Sequence, residues 1–210
     1  EQLGMRLAAA RAGVNLKDLR GGRVTQAMVD RVVEVGPEID ALQLHIDDTS
    51  AVSLGHIRTQ CRKLKLKGEL DLVIVDFLTL MKDGAGETKA ARVGENARGL
   101  KALAKELQVP VVVLAQLNRG LESRQDKRPN MSDLKESGAI EEAADVIVFV
   151  YRDEYYHPDS EDKGIAEVIV SKQRNGPADT ARLAWIGSRA AFANLAPPRE
   201  YAPANGWQNQ

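Results

Sequence analysis

The sequence predicts an α/β fold: an open, mostly parallel sheet wound with flanking helices and carrying a C-terminal β-hairpin. Three observations predict it. Near-continuous apolar runs occupy Leu72–Val75, Val109–Ala115 and Val146–Tyr151. Such runs mark strands buried on both faces, as in a parallel sheet covered by helices. Two of these runs bracket a helix-period stretch at 89–107, so strand, helix and strand form a βαβ unit. Alternating segments at Ile165–Ser171 and Thr180–Ile186 flank Asn175-Gly176-Pro177, which reads as a hairpin.

The remaining elements follow in order. Leu3, Leu7, Ala8 and Ala12 give a helical stripe over residues 1–12 that ends at Gly13. A second helix is predicted over 24–36, with Thr25 as N-cap and Gly36-Pro37 as its stop. Leu42–Asp47 alternates like a short strand. Ser53 caps a helix whose inner face is Leu54, Ile57, Cys61 and Leu64. Its outer face carries Arg58, Arg62, Lys63, Lys65 and Lys67. Strand Leu70–Phe77 comes next, then a polar loop at 82–88 and the helix 89–107, whose inner face is Leu100, Leu103 and Leu107. Residues 117–137 read as a long charged loop, and 138–143 as a short helix. The Pro-, Asn- and Gln-rich stretch 196–210 is expected to be a loose tail behind one domain over 1–195.

Composition narrows the function. The 210 residues hold 29 Lys and Arg against 30 Asp and Glu, a net charge of −1, so any nucleic-acid contact must be a local patch. With aromatics at 4%, the core must be aliphatic. One cysteine, Cys61, excludes an internal disulfide framework and a cysteine-based zinc site. The three histidines, His45, His56 and His157, show no metal-ligand spacing. No apolar run approaches the length of a bilayer span, and the opening residues do not read as a signal peptide, so the expected compartment is the cytoplasm. The chain starts with Glu1 and not Met, so it is expected to be a trimmed piece.

In open α/β sheets ligands bind beyond the carboxyl ends of strands, which points to Asp76, Gln116 and Arg152-Asp153. A carboxylate placed like Asp76 either faces a nucleotide-bound Mg²⁺ or caps a neighbouring helix. The Gln116 amide either contacts a γ-phosphate or satisfies backbone at the strand end. Arg119, Arg124, Lys127, Arg128 and Lys135 share one loop that runs into Glu136 and Gly138. Those cations either track a phosphate backbone or are solvated, and a glycine before a helix start lets backbone N–H groups approach phosphate. Without aromatics in this loop, base stacking is not expected there. Lys172 and Arg174 stand at the hairpin tip, where a guanidinium could reach across an interface to a neighbour's phosphate or simply be solvated.

Together these segments resemble the motor domain of DnaB-type replicative helicases. The resemblance is carried by LVIVDFLTLM (72–81), LKALAKELQVPVV (100–112), LAQLNR (114–119), DKRP (126–129), SDLKESG (132–138), YRDE (151–154) and KQRNGP (172–177), in family order. EQLGMRL (1–7) and HIDD (45–48) extend it over essentially residues 1–195. It implies a RecA-like P-loop NTPase fold from a hexameric ring that unwinds DNA, moving on single-stranded DNA with ATP and Mg²⁺. By similarity Asp76 would hold the Mg²⁺ through water and Gln116 would sense the γ-phosphate. Lys172 and Arg174 would act on the neighbouring subunit's nucleotide. Lys135, Glu136 and Gly138 would grip the DNA backbone, with Lys135 standing where the family often has Arg. Partners implied are a helicase loader and primase.

One departure is large. No Gly-x-x-x-x-Gly-Lys-Ser/Thr occurs among the 210 residues, and the pair Gly21-Gly22 is followed by Arg23-Val24. The phosphate-binding loop, its strand and the water-activating glutamate are expected upstream. Without that strand, Val73 and Val75 are expected to lose neighbours and the isolated piece to be poorly stable. The alternative reading is a catalytically silent DNA- and subunit-binding fragment.

Overall fold

The computed structural model describes residues 2–82, 88–134 and 137–195, with Ser137 described by its backbone alone. The expected tail at 196–210, and Lys135 and Glu136, lie outside the described residues.

The chain opens with three helices. α1 (Gln2–Ala12) ends at Gly13, whose φ of +68° only glycine adopts readily. α2 (Leu16–Arg20) is an addition to the expected elements; the Asn15 side chain caps it by accepting from the Lys17 N–H. α3 (Gln26–Asp40) is capped by Thr25 as expected, but it continues through Pro37 to Asp40 instead of stopping at Gly36. Proline removes the hydrogen bond to the Val33 carbonyl. Val33 is 67% exposed, so water can replace that bond, and Ala41 N–H still donates to Pro37 O at 3.1 Å.

The strand expected at 42–47 does not form. The segment runs without ladder partners among the described residues, and Leu44 and Ile46 are 54% and 61% exposed. Alternation selects a face, but a strand also needs a neighbour for its N–H and C=O groups.

The central unit is the predicted βαβ. α4 (Leu54–Lys67) is capped by Ser53, whose hydroxyl accepts from His56 N–H, and ends at Gly68 in the left-handed conformation. β1 (Val73–Val75) pairs in parallel with β2 (Val111–Val113), in the register Val75 to Val113. α5 (Lys89–Leu107) crosses between them. Cys61, Leu100, Leu103 and Leu107 pack with Val73 and Val75 into the main core.

The second sheet is antiparallel, in the order β3 (Val146–Tyr151), β4 (Ile165–Gln173), β5 (Asp179–Ile186) and β6 (Ala191–Asn194). The expected hairpin is β4–β5. Strand β6, and the pairing of β3 with β4, go beyond the sequence expectation. The parallel character thus resides in β1 and β2. α6 (Ser137–Ala143) precedes β3, and the one-turn α7 (Asp153–Tyr156) follows it.

Burial departs from the two-face expectation. Val73 and Val75 keep their neighbours and are buried, while Ile74 between them is 61% exposed. Val112, Val146, Val148 and Val150 are likewise about half exposed, whereas Ile147, Phe149 and Tyr151 are buried. Helices α4 and α5 cover one face of β1 and β2, the segments around Leu117, Met131 and Leu134 cover one face of β3, and the opposite faces of these strands are open within this chain.

Candidate functional site

β1 and β2 run side by side in the same direction, so whatever follows them emerges at one end. Leu114 N–H donates to Val75 O at 3.0 Å, and Leu78 N–H returns to Leu114 O at 2.9 Å. Asp76 therefore leaves β1 opposite Leu114, and Gln116 lies two residues further along the adjacent strand. Both are exposed. The peptide bond from Asp76 to Phe77 is cis. No ion pair or side-chain hydrogen bond engages the Asp76 carboxylate among the described residues, and these contain no cluster of three metal-ligating side chains. A single free carboxylate of this kind fits Mg²⁺, which binds through one or two carboxylates and takes its other oxygens from water and phosphate.

The same end of the molecule holds a feature that sequence reasoning missed. Leu117, next to Gln116, lines a cavity of about 300 Å³ with Tyr151, Arg152, Tyr155, Trp185 and Phe192. The Arg152 guanidinium lies over Trp185 at 4.8 Å and over Tyr155 at 5.9 Å. Aromatic faces beside a guanidinium suit a flat, electron-rich group. The signal available was the aromatic-rich YRDEYY run placed directly after a strand. Beneath the cavity, the Tyr151 hydroxyl donates to Asp153 at 2.6 Å, and His157 Nδ1 lies 3.0 Å from the same oxygen. Hydrogen bonds from Ser160, Tyr151 and His157 hold the Asp153 carboxyl down at about 2.

Lys172 and Arg174 are elsewhere. Gln173 pairs with Val146, so the hairpin tip lies at the start of β3, while the aromatic cavity lies at its end. The five steps from Val146 to Tyr151 separate the two by about 17 Å. The tip is open: Arg174 is exposed and Lys172 half-buried. A register shift at Ile147/Val148 kinks the ladder just below it. Lys172 and Arg174 therefore do not converge with Asp76 and Gln116 within one subunit.

The charged loop differs most from expectation. Arg124 is spent on Asp133 at 3.1 Å and on the carbonyls of Asp126 and Arg128. Lys127 Nζ donates to the Glu122 carbonyl at 2.7 Å. Arg128 forms a two-pronged pair with Glu167. The segment folds into 3₁₀ turns at Arg119–Ser123 and Met131–Asp133, the latter closed by a capping box from Asn130. Three of the five cations, which the sequence left either to track a phosphate backbone or to be solvated, are thus engaged within the chain: Arg124 and Lys127 hold their own loop, and Arg128 ties it to β4. Gly138 is exposed in the first turn of α6.

The family model described as "DnaB-like helicase C terminal domain" matches residues 1–194. The chain belongs to the DnaB-like helicase C-terminal domain family. It is 44% identical over 198 residues to the replicative DNA helicase DnaB of Geobacillus stearothermophilus, covering 93% of this chain and 43% of that protein. The Haemophilus influenzae DnaB is 46% identical over 205 residues, covering 96% and 44%. Among solved structures, a DnaB-like replicative helicase described with its interactions with primase superposes with a TM-score of 0.87 at 36% identity, over 91% of this chain and 47% of that one. A second solved structure, described as an ATPase domain, gives 0.86, also at 36% identity, over 91% and 69%. This DnaB-like chain spans less than half the length of the curated relatives it matches. Its fold is therefore RecA-like, as the resemblance implied. No helix among the described residues is long and apolar enough to cross a membrane.

Proposed function

We propose that this chain is the later part of a motor domain from a hexameric ring that hydrolyses ATP, moves along single-stranded DNA and unwinds duplex at the replication fork in the cytoplasm. Family membership supports the class of activity. The observation that carries the division of labour is geometric. Asp76 and Gln116 leave the same end of two adjacent parallel strands, while Lys172 and Arg174 are presented at the opposite end of β3.

In this reading Asp76 holds Mg²⁺ through water, and the Gln116 amide contacts the γ-phosphate. The metal, when bound, offsets the charge that gathers on the phosphates. The tip cations stand at the start of β3, away from its Tyr151 end, which shares a cavity with Leu117 beside Gln116, so Lys172 and Arg174 act on the neighbour's nucleotide and not on their own. Lys135, Glu136 and Gly138 contact the DNA backbone, where a lysine supplies charge without the bidentate fork of an arginine. A helicase loader and primase are the partners of the assembled ring.

The test uses the full-length parent. Arg174→Ala abolishes ATP turnover in a uniform ring. Mixing those subunits with subunits disabled in the phosphate-binding loop restores part of it, because each defect is complemented across the interface. If mixing restores nothing, the assignment in trans fails. A second reading is favoured by the lack of a Gly-x-x-x-x-Gly-Lys-Ser/Thr among the 210 residues. On its own the chain is a DNA- and subunit-binding piece that turns over no ATP.

A further inference from the structure

The carboxyl end of α6 meets the hairpin tip. Lys172 Nζ donates to the Glu141 carbonyl, and the Arg174 guanidinium donates to the Glu142 carbonyl at 3.3 Å. These carbonyls lie in the last turn of α6, where backbone acceptors are left over and the helix end is negative. Arg174 is held again by Asp145. Its Nε lies 3.3 Å from the carboxylate, and its backbone N–H donates to the Asp145 carbonyl at 3.1 Å. Asp145 also pairs with Lys101 of α5. The Lys101 hydrogen bond, with the fields of Lys101, Arg174 and Lys105, holds the Asp145 carboxyl below its usual range.

α6 is pinned from its other side. A Cβ built on Gly94 of α5 would stand 2.6 Å from the Ala139 Cβ, so the two helices touch where only glycine fits. One seven-residue helix therefore runs from Gly138 to the groups that hold the tip cations. A shift at one end of so short a rod cannot be absorbed within it.

We propose that Asp145 is a positioning residue for Arg174: it ties the guanidinium to the carboxyl end of α6, so that movement of α6 at its Gly138 end is passed to the cation that reaches the neighbour. This rests on the function proposed above. Asp145 is the one side-chain anchor of Arg174 among the described residues, since the other acceptors are backbone carbonyls. The pair is about half exposed on both sides, at 52% and 49%. Solvent weakens such a pair, which suits a contact that must yield Arg174 to a phosphate.

The experiment measures ATP turnover by the full-length ring with and without oligodeoxythymidylate. Asp145→Asn lowers the ratio of the two rates by about five-fold or more. The KM for ATP and the Kd for the oligonucleotide change by less than about two-fold, because Asp145 touches neither ligand. Asp145→Glu, which keeps the charge, retains most of the ratio. An unchanged ratio in D145N rings overturns the proposal. So does equal loss in D145N and D145E, because that makes Asp145 merely structural. Should D145N subunits not assemble alone, they are titrated into wild-type rings. A ratio that falls with their share supports the proposal, and one that holds overturns it. A wild-type ring with no DNA stimulation, or R174A rings with full turnover, would sink the motor reading itself and not this coupling alone.

Discussion

Arg128 places Nε and an Nη on the two oxygens of Glu167, at 2.9 and 2.8 Å, and so fastens the charged loop to β4. Glu167 is 13% exposed, and the guanidinium also lies 5.0 Å above the Tyr151 ring. This cation is a structural strut, although it stands in a stretch whose composition suggests DNA contact.

Arg128→Ala is expected to destabilise the folded domain by about 1–3 kcal/mol, since it leaves a mostly buried carboxylate unpaired. Urea unfolding of the parent measures the loss. The dependence of single-strand affinity on salt should not change, because this charge is already neutralised within the subunit.

Lys135→Ala should do the opposite. It is expected to weaken single-strand binding and to reduce the slope of log affinity against log salt by about one unit. A slope equal to wild type would move the DNA contact elsewhere.

Acid should act through Asp153. Its folded pKa of about 2 lies below the unfolded value near 3.8. The folded state thus binds fewer protons than the unfolded one in that window. Its stabilisation is complete above about pH 4 and is lost as the pH falls toward 2. Asp153→Asn should lower stability at neutral pH and flatten the fall between pH 4 and 2, which unfolding curves at stepped pH would record. A fall as steep as in the wild type would remove Asp153 from the account.

The open sheet face predicts the behaviour of the isolated 210-residue chain. Leu72, Ile74, Val112, Leu114, Val146, Val148 and Val150 are each at least 42% exposed. Exposed apolar surface of this kind, on both sheets, binds hydrophobic dyes and promotes association. The isolated chain is expected to bind such a dye and to lack a sharp thermal transition. A cooperative transition without dye binding would contradict this.

The sequence alone determined whatever depends on neighbours along the chain. The caps at Thr25 and Ser53, the limits of α5, the β4–β5 hairpin and the place of Asp76 and Gln116 after apolar strands all follow from short-range chemistry and periodicity. Family membership followed from ordered local strings, which is the same kind of information. Tertiary structure decided what depends on a partner across space. Leu42–Asp47 has the alternation of a strand but pairs with no ladder among the described residues, and Ile74 lies in a buried-looking run yet faces outward. Arg124, Lys127 and Arg128 were consumed by Asp133, by backbone carbonyls and by Glu167, acceptors that no spacing rule identifies. The separation of Arg174 from Asp76, and its tie to Asp145, arise from strand register and helix packing. A side chain's charge is written in the chain, but whether that charge is free to act depends on what the fold brings beside it.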